Sequence, residues 1–442
     1  MIRAIQPAAL GGTLRVMPSK SASHRAVLAA ALASEPCEVA PLQLSADVEA
    51  TLRCARALGL LADCALEPLS GAQEGFVRAR LRGGGVPASP GLREADCGES
   101  GSTLRFFMPL ALDGRGPVRL IGHGRLMERP QDVYRALFAA MDVRWEDGPG
   151  SLTLDGRLQG GRMRLRGDVS SQFVTGLLYA LPLCAQDSTL TLTTPLESGA
   201  YVALTREMLA RFGVRSAWRD ERTLFVPGGQ RYRSPGRVQV EGDWSHAAFY
   251  LVAGATAGAP QGVRLTGLLP DSTQGDRAVV QVLRAMGADI RWADSPDGPA
   301  LCAYPSRLTG TTIDAAQIPD LVPALCVAAC AAQGVTRIVN AGRLRIKECD
   351  RLAAMREGLC RMGADVRETP DGLTVQGGAR LHGAAVDAWN DHRIAMALCV
   401  AAASCEGGTA LSGAESVRKS APAFYREYAS LGGMTHALDV GE

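Results

Sequence analysis

Aromatic side chains are scarce in this chain: Trp, Tyr and Phe make up 5% of its 442 residues. That is too few for the stacking platforms that line a single-stranded nucleic-acid channel. An excess of charge is missing too, since 47 Lys and Arg face 45 Asp and Glu for a formal net charge of +2. Such a balance gives no electrostatic footprint for nucleic acid or for an anionic membrane surface. There is no apolar run of the roughly 20 residues needed to span a bilayer, and no signal peptide at the start. The twelve cysteines include no C-x-x-C pair and no metal-ligand spacing. Cys326, Cys330, Cys399 and Cys405 lie in alanine-rich apolar runs, and all twelve read as reduced, buried thiols of a cytoplasmic protein without a metal site.

What the chain has is apolar bulk: 47% of its residues are hydrophobic, enough for well-packed cores, and its length implies two domains. One signature recurs six times, an amphipathic helix followed by a glycine-type stop and a strand start. It falls at Leu58-Gly59-Leu60, Met141-Asp142-Val143, Phe212-Gly213-Val214, Met286-Gly287-Ala288, Met362-Gly363-Ala364 and Leu431-Gly432-Gly433. Glycine there suits the left-handed residue that ends a helix, and Asp142 is a tolerated substitute. A second series runs in step: short polar clusters precede apolar helical runs near Lys20, Ser100, Ser170, Asp243, Asp320 and Asp391. Each unit of about 70 residues thus carries one buried helix with a polar head and one exposed amphipathic helix, and six units make two domains of three. Leu352, Met355, Leu359 and Met362 mark the exposed type; Arg162 to Arg166 and Thr189 to Thr193 alternate as half-exposed strands. The Gly/Pro-rich residues 83–91 read as a surface loop.

The polar heads differ in chemistry. Lys20, Ser21 and Arg25 crowd a helix start that has no acid to offset them, which suits a phosphate or carboxylate. Gly98 to Thr103 form a glycine and hydroxyl loop whose amides can approach an anion, and Ser170-Ser171-Gln172 offer neutral donors. Asp320 and Asp391 stand where a carboxylate usually caps a helix. Lys347 and Arg351, four apart on a helix starting near Lys347, share a face with Glu348 beside them, an arrangement that also fits a surface ion-pair ladder. Lys20, Arg25, Arg125, Arg129, Lys347, Arg351, Arg393 and Lys419 place eight cations in short polar clusters of a nearly neutral chain. That points to a pocket for several acidic groups.

Seven segments then fall in one order: Ser19 to Arg25, Glu128-Arg129-Pro130, Val169 to Phe173, Val240 to Asp243, Ile318-Pro319-Asp320, Ile346 to Leu352 and Asn390 to Arg393. Together they resemble the 5-enolpyruvylshikimate-3-phosphate synthase family of enolpyruvyl transferases, over essentially the whole chain. The resemblance implies an α/β (α+β) fold of two domains, each of three βαβαββ units around buried helices, with the active site in the cleft between them. Residues 1–18 with 241–442 would form one domain and residues 19–240 the other. It implies transfer of the carboxyvinyl group of phosphoenolpyruvate to the 5-hydroxyl of shikimate 3-phosphate, with release of phosphate and no cofactor or metal. The expected partners are those two small molecules, not nucleic acid or a membrane, and the chain is expected to be a monomer.

By the same resemblance Asp320 takes the 5-hydroxyl proton, while Glu348 and Lys20 handle the carbon proton. Ser21, Arg25, Ser170, Ser171, Ser198 and Lys347 belong to shikimate 3-phosphate, Gln172 lies close to both substrates, and Lys20, Gly101, Arg129, Arg351, Arg393 and Lys419 surround phosphoenolpyruvate. Tyr201 falls in the same substrate-binding segment. Glu99 and Ser100 depart from the family pattern, as do Pro18-Ser19 and the segment Asn340 to Leu344, and no Asn contact is carried over to the latter. Retained Gly101 implies sensitivity to glyphosate. The sister enzymes acting on a UDP-sugar favour Lys-Asn where this chain has Lys20-Ser21. A metabolite binder without turnover would not need Lys20, Asp320 and Glu348 together.

Overall fold

The computed structural model describes residues 1–69, 75–84, 91–296 and 298–438. The chain divides into a discontinuous unit, Met1–Met17 with Glu241–Glu442, and a continuous unit, Pro18–Val240. The first boundary falls between Met17 and Pro18, one residue before the position expected from the sequence. Residues 85–90 of the expected Gly/Pro-rich loop lie outside the described residues.

Among the described residues, six four-stranded sheets, three per unit, repeat one topology. A parallel pair sits at one edge, and the remaining two strands join antiparallel. In the continuous unit Gly161–Leu165 runs parallel to Ser188–Leu192, which pairs antiparallel with Thr223–Val226 and, beyond it, Ala217–Trp218. In Ser188–Leu192 the residues Ser188, Leu190 and Leu192 are buried and the threonines between them are half-buried, the period-2 alternation of a strand with one face on a core. Strands distant in sequence close each unit. Arg237–Gln239 pairs with Cys37–Gln43 in the continuous unit. Ile2–Gln6 lies between Thr409–Ser412 and Met434–Leu438, and Leu10–Arg15 pairs with Gly258–Thr266, in the discontinuous one.

Each unit holds three helices buried nearly all round. They are Lys20–Leu32, Gly101–Ala111 and Ser171–Ala180 in the continuous unit, and Trp244–Thr256, Val322–Ala331 and His392–Ala403 in the discontinuous one. Their bodies are mostly apolar, and alanine-rich in Lys20–Leu32, Trp244–Thr256, Val322–Ala331 and His392–Ala403, which suits a helix with no solvent face. Side chains at five of the starts bond to the next free N–H groups: Ser19 to Ala22, Ser100 to Thr103, Ser170 to Gln172, Asp243 to His246 and Asp391 to Arg393. The sixth start differs. A short 3-10 turn, Pro319–Leu321, leads into Val322–Ala331, and the Asp320 carboxylate caps neither.

The second helix type ends as the signature implies. Gly59, Asp142, Gly213, Gly287, Gly363 and Gly432 follow the six helices, all at φ between 58° and 95°. One boundary is corrected. The helix expected from Lys347 is Arg351–Arg361, because Asp350 accepts from the Leu352 and Ala353 N–H groups and so fixes the start, while Lys347 is extended. Cys360 is exposed and Cys64 and Cys184 are half-buried, so the reading of the cysteines as buried holds for the other nine. Among the described residues no helix is long and apolar enough to cross a membrane.

Candidate active site

In the continuous unit the polar heads of the three buried helices gather the first cluster. Lys20 Nζ pairs with Asp47 Oδ2 at 2.8 Å, both side chains mostly buried. Asp47 lies in the first turn of Ala46–Ala57, where a carboxylate is favoured by the helix dipole. Behind this pair runs a buried chain of hydroxyls. His24 Nδ1 meets Thr51 Oγ1 at 2.6 Å, Thr51 meets Thr103 at 2.8 Å, and Thr103 donates to Ser100 Oγ at 2.8 Å. Burial, then the charges of Lys20 and Arg25, push His24 well below its usual range, so it stays neutral at pH 7. The chain links the starts of three helices through donors that carry no net charge.

Arg25 is 3% exposed. It donates Nε–H to Thr205 Oγ1 and Nη1–H to the Ser21 carbonyl, both at 2.8 Å, and Nη2–H to the Tyr201 carbonyl at 3.1 Å. Its guanidinium also lies over the Phe106 and Tyr201 rings. Burial lowers it to about 10, which leaves it charged at neutral pH. Ser198 precedes Gly199–Arg211 in the left-handed region at φ 54°, a conformation that costs a non-glycine residue of order 1 kcal/mol or more and clusters at binding sites. Ser170 caps the helix that carries Ser171 and Gln172. Gln172 Oε1 accepts from Arg105 Nη1 at 2.8 Å, and its Nε2 donates to Ser102 Oγ at 2.9 Å. Gly101 stands so close to Arg129 that a Cβ on it would lie 2.9 Å from Nη1.

In the discontinuous unit the second cluster is an ion network. Arg351, 1% exposed, donates Nε–H to Asp391 Oδ2 at 2.8 Å, Nη1–H to Asp320 Oδ1 at 3.0 Å and Nη2–H to Glu348 Oε2 at 2.8 Å. Arg393 donates Nη2–H to Asp320 Oδ2 at 3.0 Å and Nη1–H to the Asp320 carbonyl at 3.1 Å. Burial alone would raise the Asp320 carboxyl. Arg393, Lys347 and Arg351 outweigh it and hold the group well below the usual carboxylate range. Burial draws the Lys347 ammonium down to about 8, against the attraction of Asp320 and Glu348. Lys419 Nζ donates to the Asn390 carbonyl at 2.7 Å; Asn390 itself is at φ 52°.

The structure sorts the eight cations of the sequence reading. Arg125 is not part of either cluster: its side chain is 51% exposed and pairs with Glu128 in solvent. The ion-pair ladder alternative for Lys347, Glu348 and Arg351 also fails, because Arg351 is buried at the start of its helix. Sequence reasoning missed Asp47 and Arg105, and gave Asp391 only a cap. One overlooked signal is composition. The chain has three lysines, Lys20, Lys347 and Lys419, and all three lie in these clusters, while arginine supplies every other cation. Where Arg serves everywhere else, a retained Lys marks a place needing a compact ammonium. Among the described residues no group of three or more His, Cys, Asp or Glu side chains could hold a metal ion.

The sequence profile described as EPSP synthase (3-phosphoshikimate 1-carboxyvinyltransferase) matches residues 5–428. The 3-phosphoshikimate 1-carboxyvinyltransferase of Clostridium kluyveri is 40% identical over 442 residues, covering 99% of both chains. That of Clostridium novyi is 37% identical over 441 residues, again covering 99% of each. Among solved structures, EPSP synthase from Acinetobacter baumannii superposes with a TM-score of 0.78 at 25% identity, covering 99% of this chain and 100% of the other. The enolpyruvyl transferase NikO from Streptomyces tendae shares the fold at a TM-score of 0.77 and 18% identity, covering 98% of each chain.

Proposed function

The chain belongs to the EPSP synthase family, and from that premise we propose how its own residues divide the family's reaction. That reaction moves the carboxyvinyl group of phosphoenolpyruvate to the 5-hydroxyl of shikimate 3-phosphate and releases phosphate, in the shikimate pathway. A proton is added to the methylene carbon of phosphoenolpyruvate as the 5-oxygen attacks its neighbour. The resulting tetrahedral species returns a proton from the methyl group and expels phosphate. Both directions of proton transfer need a group that is acid in one step and base in the next, and the flow of charge needs fixed cations.

Asp320 takes the proton of the 5-hydroxyl. Glu348, with Lys20, serves the carbon proton. Ser21, Arg25, Ser170, Ser171, Ser198 and Lys347 hold shikimate 3-phosphate, with Tyr201 beside Arg25, and Gln172 serves both substrates. Lys20, Gly101, Arg129, Arg351, Arg393 and Lys419 hold phosphoenolpyruvate, whose carboxylate and phosphate suit bidentate guanidinium contacts. The observation that carries this reading is the pairing of both proposed proton-transfer carboxylates, Asp320 and Glu348, with one buried guanidinium. It supports a site that stores ionised acids next to cations meant for an anionic ligand.

The reading extends to a soluble protein that needs no metal or cofactor, acts as a monomer in the cytoplasm, and is inhibited by glyphosate in competition with phosphoenolpyruvate. The test of the residue roles is kinetic. Glu348→Gln keeps shape and removes the titrating group, so kcat falls by at least about a hundredfold while affinity for both substrates stays within a few-fold. A raised KM with unchanged kcat contradicts the role.

A further inference from the structure

Asp391 does more than cap a helix. Capping His392–Ala403 needs one oxygen on the Arg393 N–H, which Oδ1 provides at 2.8 Å, and a neutral Ser or Asn does this equally well. Asp391 instead is a carboxyl side chain with no solvent exposure, paired with a guanidinium. Its Oδ2 accepts from Arg351 Nε at 2.8 Å, and Oδ1 accepts from Arg351 Nη2 at 3.4 Å. The Cys349 thiol at 3.6 Å and the His392 ring at 3.9 Å also face it.

The guanidinium of Arg351 is thereby used from two sides. Its Nε edge faces Asp391, while its Nη tips face Asp320 and Glu348. Asp320 and Glu348 side chains are each 18% exposed, against 0% for Asp391. Two of the three carboxylates can therefore turn toward solvent or a ligand, and the third cannot. Lys347, Arg351 and Arg393 are already balanced by these three acids. An anionic ligand docking on the Nη tips must displace Asp320 and Glu348, not Asp391, because a buried charge left without a partner costs far more than one that reaches solvent.

We propose that Asp391 is a positioning residue that pins the Nε edge of Arg351, so that the Nη tips pass from Asp320 and Glu348 to the carboxylate of phosphoenolpyruvate. This rests on the assignment of Arg351 to phosphoenolpyruvate made above. The exchange has a chemical consequence. Once Arg351 turns its tips to the ligand, Asp320 and Glu348 each lose a hydrogen-bonded charge partner and become better proton acceptors as the substrates are seated. Binding of the second substrate thus activates the acid-base pair.

Two measurements test it. Asp391→Asn keeps the cap and the volume and removes the charge. It raises KM for phosphoenolpyruvate about tenfold or more, the scale of one charged hydrogen-bond pair, with kcat reduced less and affinity for shikimate 3-phosphate by calorimetry within twofold. A KM within twofold of wild type, or equal weakening of both substrates, overturns the proposal. The second needs no variant: a structure of the wild-type protein with shikimate 3-phosphate and phospholactate, the saturated counterpart of phosphoenolpyruvate. The expected result retains the contact between Arg351 Nε and Asp391 and loses those to Asp320 and Glu348. Phospholactate on Arg351 with the Asp391 contact broken overturns the pinning alone. Phospholactate bound away from Arg351 overturns the site assignment and the pinning with it.

Discussion

At the scale of single residues, the site is a set of charges whose ionisation is set by neighbours and burial. Lys347 is the most informative. Its ammonium sits at about 8 instead of 10.5 because burial disfavours the charged form more than Asp320 and Glu348 restore it. Below that value it is protonated and can hold a phosphate; above it the charge is lost. The kcat/KM for shikimate 3-phosphate therefore falls as pH rises through about 8, and Lys347→Arg removes that limb because a guanidinium stays charged. A profile flat to pH about 9.5 in the wild type contradicts this. Arg25→Ala acts on binding: it takes a buried cation from Thr205, Tyr201 and the Ser21 carbonyl, and calorimetry should show shikimate 3-phosphate weakened by about tenfold or more. Gly101→Ala brings a methyl group against Arg129 Nη1, so it raises the inhibition constant of glyphosate together with KM for phosphoenolpyruvate. Inhibition of wild type that is absent at millimolar glyphosate refutes sensitivity altogether.

At the scale of elements, six repeats of one helix ending were legible because they depend on local backbone chemistry. A left-handed residue must follow each helix, and five of six are glycine. The chain's only two asparagines, Asn340 and Asn390, also stand at φ 57° and 52°, the use of Asn that short polar side chains allow. Asp142 at φ 58° carries the strain that the five glycines avoid. Asp142→Gly should therefore stabilise the protein by ~0.5–1 kcal/mol without changing kcat, and Gly213→Ala, at φ 75° where an added Cβ meets only ordinary contact with Arg233 at 3.9 Å, should cost about 1 kcal/mol. Denaturant unfolding checks both; equal stabilities for Gly and non-Gly at these positions would remove the backbone argument. The start of the Arg351 helix was misplaced by four residues because charge spacing over Lys347, Glu348 and Arg351 imitates a helical face. Asp350, a stronger signal, fixes the cap. Asp47, Arg105 and the anchoring role of Asp391 were illegible for a different reason. They act through partners 27 to 67 residues away in sequence, and such pairing is a property of the fold.

At the scale of the whole molecule, each unit is closed by strands that come from far along the chain: Ile2–Gln6 joins strands beyond residue 400, and Arg237–Gln239 joins Cys37–Gln43. Removing the first strand should therefore damage the discontinuous unit, which carries Asp320, Glu348 and Arg351, while leaving the continuous unit folded. Two unfolding transitions in place of one, with the earlier one affected, would be its calorimetric signature. Phosphate release reports the reaction itself. With phosphoenolpyruvate present, the purified protein should release phosphate in proportion to added shikimate 3-phosphate. It should release none with UDP-N-acetylglucosamine, and the Glu348→Gln variant should be slower by at least about a hundredfold. No release with shikimate 3-phosphate, or release driven by the UDP-sugar, would contradict the account.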